Sequence, residues 1–394
     1  MLFSLLPVLV AVLSIEDSGN SWSLIIVFLN LNMLSFFIGS AFWPGKIIRL
    51  GYFSSAKITI LGYFLSNALF VVLLLGATKS VQFNIEFLVL IGVSRLFMGF
   101  FSSAFMPIAQ GSIYAQTSCE QRQYKKLSKI SGTLTLGRLA GPGLVLLPVD
   151  WLWVLAIPFV PMFWSFFKRP SISFSGQEAE LSTAPNIKAL SLFLLSPPSL
   201  IAPLLIALST TALVASFQLA LAPEMTSLIG DVEQASEMLA FLMLGLSMLL
   251  FILQVWVMPR LAKWLKTRLF IIAFGLVGFG LLALIPDPNL TNFILAGLAL
   301  ALSIAGLPPW YSQVAFRRGE PKRKVSETSG LLAQSHSLGH LVGTTSAALC
   351  LSVGINALYA SSLFALVILS LMWVVVSTSR SLLTTSISES KGTT

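Results

Sequence analysis

Two arginines have the clearest capacity for chemistry in this chain, because each lies deep in an apolar run. They are Arg95 and Arg138, and no aspartate or glutamate lies equally deep in such a run. A charge near the bilayer centre costs about 2.5 to 3.5 kcal/mol, so it usually has a partner or a function. Guanidinium binds carboxylate and phosphate through paired hydrogen bonds. We therefore predict that both arginines contact an anionic substrate. The structural alternatives are that Arg138 bonds carbonyls freed near Pro142 and that Arg95 ties helices together within one half.

The residues around Arg138 predict a polar face beside a packing face. On a helix that advances about 100° per residue, Ser131 and Thr135 share a face with Arg138. We predict that these three residues bind the substrate. Gly137 and Gly141 lie on a neighbouring stripe with GxxxG spacing, which lets another helix approach closely.

His336 and His340 are the only histidines, and their spacing places both on one helical face. Imidazole titrates near neutrality, so both are candidates, together with Arg95, for coupling to protons. Ser337 stands where the glutamate of an HExxH metal site would be, and no third ligand is evident. We therefore predict no metal and no other cofactor. A structural histidine pair is the alternative.

The elements that must position these residues are membrane spans. The 394 residues are 56% hydrophobic and only 10% charged, with a mean hydropathy of +0.88. These values lie outside those of soluble domains. A bilayer core requires about 20 apolar residues in a helix. Twelve candidate spans predict an all-α integral membrane protein with lipid as its surroundings.

The twelve spans fall into two sets of six around a polar interval. We expect an N-terminal bundle at 1–167, a linker at 168–190, a C-terminal bundle at 191–378 and a tail at 379–394. The spans are predicted at about 1–14, 22–43, 55–76, 85–109, 130–147, 151–167, 199–221, 238–258, 269–285, 292–316, 330–352 and 357–376.

Basic residues occupy alternate loops, and the loops between them hold mostly acids. The positive-inside rule then places the linker and both termini in the cytoplasm. Topology accounts for the net charge of +9, so we predict no nucleic-acid partner. The basic segments are 46–57, 122–129, 168–188, 260–268 and 317–324.

Two short patterns recur at matching places in the two halves. The run from Gly339 to Thr344 in span eleven repeats the pattern of Gly137 to Pro142 in span five. Lys46 to Arg49 after span two resembles Arg260 to Lys263 after span eight. Transporters built from such repeats hold their substrate between the halves.

Over essentially its whole length, the chain resembles the major facilitator superfamily, and within it the twelve-span proton-linked exporters. Arg95 to Gly99, with Ser102 and Ser103, is similar to the family's RxxqGxgaa motif. The run from Gly137 to Pro142 is similar to the GxxxGP core of the antiporter motif, which is associated with export. It departs from that motif at residues 145–146, where paired glycines are expected.

The segment after span two is similar to the family's GxLaDRxGRR loop, although it lacks the aspartate and is one residue short. Lys46, Arg49 and Gly51 are the matching residues, which the resemblance places in a cytoplasmic gate loop. The missing aspartate puts the usual charge pair of that gate in doubt.

The resemblance implies two pseudo-symmetric six-helix bundles that rock about a midplane cavity. We expect a monomeric exporter in a bacterial inner membrane, driven by protons and carrying a small anionic metabolite. A carboxylate siderophore belongs to this class, because related exporters carry such compounds. The alternatives are a broad drug exporter, which should keep a cavity carboxylate, a sugar or organic-anion importer, a membrane-embedded enzyme using His336 and His340, and a non-transporting receptor.

Overall fold

A computed structural model describes residues 21–77, 85–117, 119–145, 198–286, 288–319 and 325–391, and all regular structure in these ranges is helical. The N-terminal half contains α1 (Ser21–Ala77), α2 (Ile85–Ser102), α3 (Phe105–Gln116) and α4 (Glu120–Val145). The C-terminal half contains α5 (Pro198–Ile229), α6 (Val232–Ile252), α7 (Leu265–Ala283), α8 (Leu290–Gly319), α9 (Val325–Ser352) and α10 (Leu358–Lys391). A π-helical turn (Leu253–Val257) and the short segments Met258–Arg260 and Leu261–Lys263 follow α6.

Helix α1 consists of two predicted spans joined at Gly51. The basic segment that precedes this residue is helical up to Leu50, whereas the resemblance predicted a loop after the span that ends near residue 43. The chain direction changes at Gly51, which has φ 78° and ψ 162°. Glycine adopts a positive φ without the steric cost of a Cβ atom, so the break falls at this residue.

Ten of the twelve predicted spans coincide with described helices, which confirms the all-α membrane architecture. Spans one and six and the predicted linker lie outside the described residues. Within the described ranges, seven helical stretches are long and apolar enough to cross a membrane. Helices α4 and α9 are not among the seven. Polar residues inside a membrane bundle usually serve a function, so these two helices are the leading candidates to line a site.

Apolar side chains fill the interior of the bundle and also cover much of its outer surface. The largest core cluster lies in the C-terminal half, where the rings of Phe217 and Phe279 meet edge to face at 5.3 Å. Large apolar side chains such as Phe270 and Trp373 are 68% and 77% exposed. Exposed apolar surface on this scale would be a liability in water, and the hydrocarbon of a bilayer accommodates it.

The two halves contact each other through a small set of helices. Helix α9 packs on α5 within its own half and on α1 and α3 across the boundary. Helix α4 packs across the boundary on α6 and α8. The polar helices α4 and α9 are therefore the helices that bring the halves together.

The basic segments within the described ranges meet at one end of the bundle, which we term the basic side. Here the guanidinium of Arg317 pairs with Glu120, and that of Arg268 lies 3.8 Å from the centre of the Tyr124 ring. The ring of Tyr114 lies against that of Phe316, with centroids 3.9 Å apart. Each of these pairs joins the two halves, so the protein is closed at the basic side.

A candidate binding cavity between the halves

A cavity of about 320 Å³ lies where the halves meet, above the closed basic side. This volume falls at the lower end of small-molecule sites, which span about 300 to 1,000 Å³. Helices α1 to α5, α8 and α9 and the π-helical turn all contribute to its lining. The polar lining residues are Asn32, Ser102, Gln110, Ser131, Thr135, Thr210, Thr211, Gln254, Tyr311, Ser312, His336, Ser337 and His340.

The face of α4 predicted to bind substrate does reach this cavity. Ser131 and Thr135 are lining residues, and the Thr135 hydroxyl donates a 2.6 Å hydrogen bond to Oε1 of Gln254. About two turns earlier, the hydroxyl of Ser128 donates a 2.6 Å bond to the carbonyl oxygen of Gln254. Both bonds cross between the halves and are buried.

The π-helical turn explains how Gln254 can accept both bonds. A π-helical turn widens the backbone and disturbs the regular i to i−4 ladder, and such turns occur frequently at functional sites. Gln254 is 2% exposed, so an unmade bond at its amide would be costly. We did not single out this residue from the sequence, although one amide in the apolar run Leu253–Val257 is a detectable signal.

The predicted histidine face of α9 also lines the cavity. Nε2 of His336 lies 2.7 Å from the hydroxyl of Tyr311 on α8, and which atom donates depends on the imidazole tautomer. His340 lines the cavity one turn further along. Nearer the basic side, Ser329 donates a 2.5 Å hydrogen bond to Oε1 of Gln110. One stripe of α9 therefore holds both cavity imidazoles and a hydrogen bond to the N-terminal half.

The cavity has an unusual charge balance. Of the described residues that line it, none is an aspartate, glutamate, lysine or arginine. The titratable groups are the imidazoles of His336 and His340 and the phenol of Tyr311. Only the imidazoles can carry positive charge, so any charge that the described lining acquires near neutral pH is positive.

Arg95, which we expect to contact the substrate, does not line this cavity in the described conformation. It is 1% exposed, with its guanidinium carbon 5.1 Å from the ring centre of Phe70 and its Nη1 3.5 Å from the sulfur of Met98. The amide of Asn32 donates a 3.0 Å bond to the Arg95 carbonyl oxygen. A Cβ at Gly99 would lie 3.0 Å from Nδ2 of Asn32. In this conformation, the Arg95 motif therefore joins α1 and α2.

The antiporter-like motif lies in the last part of α4. The side chains of Arg138 and Pro142 and the surroundings of Gly141 lie outside the described part of the structure. A Cβ added to Gly137 would meet no described atom within 4 Å, so no described helix uses it for close packing. The close approach expected of such spacing occurs instead in the repeated motif of α9, where a Cβ at Gly343 would lie 2.7 Å from Cα of Ala212.

The predicted gate residues lie on the basic side. Nζ of Lys46 lies 5.4 Å from the ring centre of Phe42, and Arg49 is exposed. Within the described ranges, the salt bridge between the halves is instead that of Arg317 with Glu120. Their side chains are 50% and 61% exposed, so this pair contributes at most about 1 kcal/mol.

The architecture of this chain is found in solved structures, of which three serve as examples. The human organic anion transporter TETRAN superposes with a TM-score of 0.68 at 14% identity, covering 95% of each chain. A bacterial homologue of the iron transporter ferroportin, in an outward-facing state, has a TM-score of 0.67 at 14% identity and covers 95% of this chain and 97% of its own. The fucose:proton symporter of E. coli has a TM-score of 0.58 at 12% identity and covers 90% and 99%. At these identities the likeness shows the fold alone.

No protein-family model matches the chain, and no curated protein matches it by sequence. The three structures compared above are all transporters rather than enzymes. Among the described residues, no three His, Cys, Asp or Glu side chains cluster closely enough to hold a metal ion.

Proposed function

We propose that this chain, which has the fold of the major facilitator superfamily, is a secondary transporter that exports a small anionic metabolite in exchange for protons. The observation that carries the proposal is a cavity between the halves whose described lining holds two imidazoles and no carboxylate. A carboxylate siderophore is one member of this cargo class. The human organic anion transporter with the same fold is consistent with an anionic cargo.

Alternating access requires that one side of the cavity open as the other closes. The contacts at the basic side hold that side closed in this conformation, and we assign it to the cytoplasm by the positive-inside rule. Cargo loading from the cytoplasm would break these contacts. We assign Ser131, Thr135 and Arg138 to cargo binding and the Arg95 motif to the junction of α1 and α2.

We assign proton coupling to His336 in preference to His340. Its imidazole lines the cavity and is hydrogen-bonded to Tyr311, and protonation makes Nε2 the donor at this contact between α8 and α9. An imidazolium also attracts an anion. Because this attraction alone would let the proton and the cargo bind together, exchange requires in addition that the proton leave before the cargo binds.

The test is uptake of candidate carboxylate metabolites into inside-out membrane vesicles. Their interior corresponds to the outside of the cell, so an exporter exchanging cargo for protons accumulates cargo when the interior is acidic. His336→Gln should abolish the response to the gradient while leaving cargo-for-cargo exchange. His340→Gln is the matched control, because it removes a second lining imidazole and keeps the His336–Tyr311 contact. Accumulation that is independent of the gradient in the wild type would refute proton coupling.

A proton-coupled importer is a second candidate, and the histidines favour it. Because an imidazolium and an anion attract each other, they could bind together and move in the same direction. The fold of a fucose:proton symporter is compatible with this reading. The same vesicles distinguish the two functions, since an importer that moves protons and cargo together accumulates cargo in inside-out vesicles only when the exterior is acidic.

A broad drug exporter is the third candidate. It is favoured by the apolar part of the cavity lining, which includes the aromatic and thioether side chains of Met33, Phe36, Phe105 and Met106. Such side chains accommodate varied amphiphiles. Accumulation of lipophilic cations, with no accumulation of carboxylates, would select this function.

A further inference from the structure

A second cleft, separate from the cavity, lies at the surface of the basic side. It has a volume of about 320 Å³ and is open to the surroundings. Lys125, Lys126 and Lys129 of α4 form one wall, and Trp256, Pro259 and Arg260 form the other. The cleft therefore lies on the boundary between the N-terminal and C-terminal halves.

Four cations meet in this cleft, and the described residues that line it include no acid. No carboxylate lines it, and none pairs with Lys125, Lys126, Lys129 or Arg260 within the described ranges. Lys126 donates to the hydroxyl of Thr117 at 2.9 Å, and Arg260 donates to the carbonyl oxygen of Trp256 at 3.0 Å, so both of these partners are neutral. Like charges facing each other across the boundary oppose its closure unless an anion lies between them.

The apolar side chains around the cleft indicate which class of anion would fit it. Trp256 is 50% exposed beside the cations, and the neighbouring Ile252 is 37% exposed. Tryptophan is enriched at the level of lipid headgroups, and basic pockets between helices on the cytoplasmic side bind anionic headgroups. A soluble anion would gain nothing from the exposed apolar side chains, whereas a phospholipid contacts both parts of the surface.

We propose that this cleft binds the phosphate headgroup of an anionic phospholipid and that the bound lipid stabilises the conformation closed at the basic side. The boundary is already tight at this level. A Cβ at Gly132 would lie 2.6 Å from Cγ2 of Val255, and Ser128 bonds the carbonyl of Gln254 nearby. Headgroup oxygens bridging Lys125 and Lys129 to Arg260 would turn repulsion across this boundary into attraction.

The experiment measures the thermal unfolding midpoint of the purified full-length protein in neutral detergent. Added phosphatidylglycerol should raise the midpoint by about 3 °C or more, whereas phosphatidylcholine should not. The triple variant Lys125→Gln, Lys129→Gln, Arg260→Gln should lose this rise. Lys266→Gln removes a basic-side cation that does not line the cleft, and it should keep the full rise.

Three outcomes would overturn the proposal. They are an equal rise in the wild type and the triple variant, no rise in the wild type, and a full rise with inorganic phosphate, which would make the ligand a soluble anion. If the triple variant fails to fold, Lys129→Gln alone should require more phosphatidylglycerol for the same rise, and an unchanged requirement would count against the site. The assay uses no cargo and no gradient, so its result is independent of the proposed transport function.

Discussion

We expect the substitution Gly330→Ala, which adds a single methyl group, to open the basic side. A Cβ there would lie 2.5 Å from Cγ of Pro44 and 2.8 Å from the carbonyl oxygen of Ser40, both on α1. Ordinary contacts of this kind are about 3.5 to 4.0 Å. Neither a proline ring nor a helical carbonyl can rotate away, so Gly330→Ala must push α9 and α1 apart.

The structure gives the size of this effect. Overpacking of such a contact costs about 1 to 3 kcal/mol, and it applies only to the conformation in which α1 and α9 touch. The intrinsic helix preference of alanine over glycine acts on both conformations and cancels. Since about 1.4 kcal/mol is a factor of ten, the population open at the basic side should rise by about 5- to 150-fold.

Alkylation of a cavity thiol from the basic side measures this population. Ser131→Cys, in a background of Cys119→Ser and Cys350→Ser, places the only thiol in the cavity lining. In inside-out vesicles, an impermeant maleimide should react faster by the stated factor when Gly330→Ala is added.

Gly280→Ala is the matched control for this prediction. A Cβ at Gly280 meets no described atom within 4 Å, so the labelling rate should not change. An unchanged rate in a well-folded Gly330→Ala protein would refute the reasoning that this contact holds the basic side closed. Fast labelling of the parent protein would show that the basic side is already open in the membrane.

Three further outcomes are expected. Thr135→Val leaves Oε1 of Gln254 buried without its donor, which should cost about 1 to 3 kcal/mol and lower the unfolding midpoint, and adding Gln254→Leu should restore most of the loss. Arg95→Lys should reduce thermal stability and leave the KM for cargo unchanged, because Arg95 lies outside the cavity lining; a raised KM with unchanged stability would place it at the cargo. Cys119 is exposed, and the backbone N–H of Arg122 above all lowers the pKa of its thiol, so its alkylation from the basic side should slow less than that of an ordinary thiol as the pH falls from about 8.5 to 7. Labelling of Cys119 only from the opposite side would invert the topology.

The sequence alone predicted the class of the protein and the faces of its polar helices. Composition and span length predicted an all-helical membrane protein, because a bilayer core admits only helices or closed barrels. Helical periodicity predicted that His336 and His340 share a face, and that Ser131 and Thr135 share another. These are local properties, and both pairs are found in the cavity lining.

The sequence did not show which residues contact each other across the boundary between the two halves. The sequence places Arg95 and Arg138 equally deep in apolar runs, yet only the packing of α2 on α1 turns Arg95 away from the cavity. Gln254 becomes important because a π-helical turn presents it to α4, across 119 residues of sequence. Likewise, Gly330 matters because Pro44 lies against it.

There is a physical reason why the sequence predicts helix faces and does not predict these contacts. Spans and helix faces follow from solvent exclusion and a fixed rotation per residue, and both are properties of a single segment. Which glycine receives a neighbouring helix, and which buried polar group finds a partner, depends on how segments distant in sequence are docked. For this protein, the sequence therefore determined which residues share a helix face, and the tertiary structure decided which of these faces line the cavity and which side is closed.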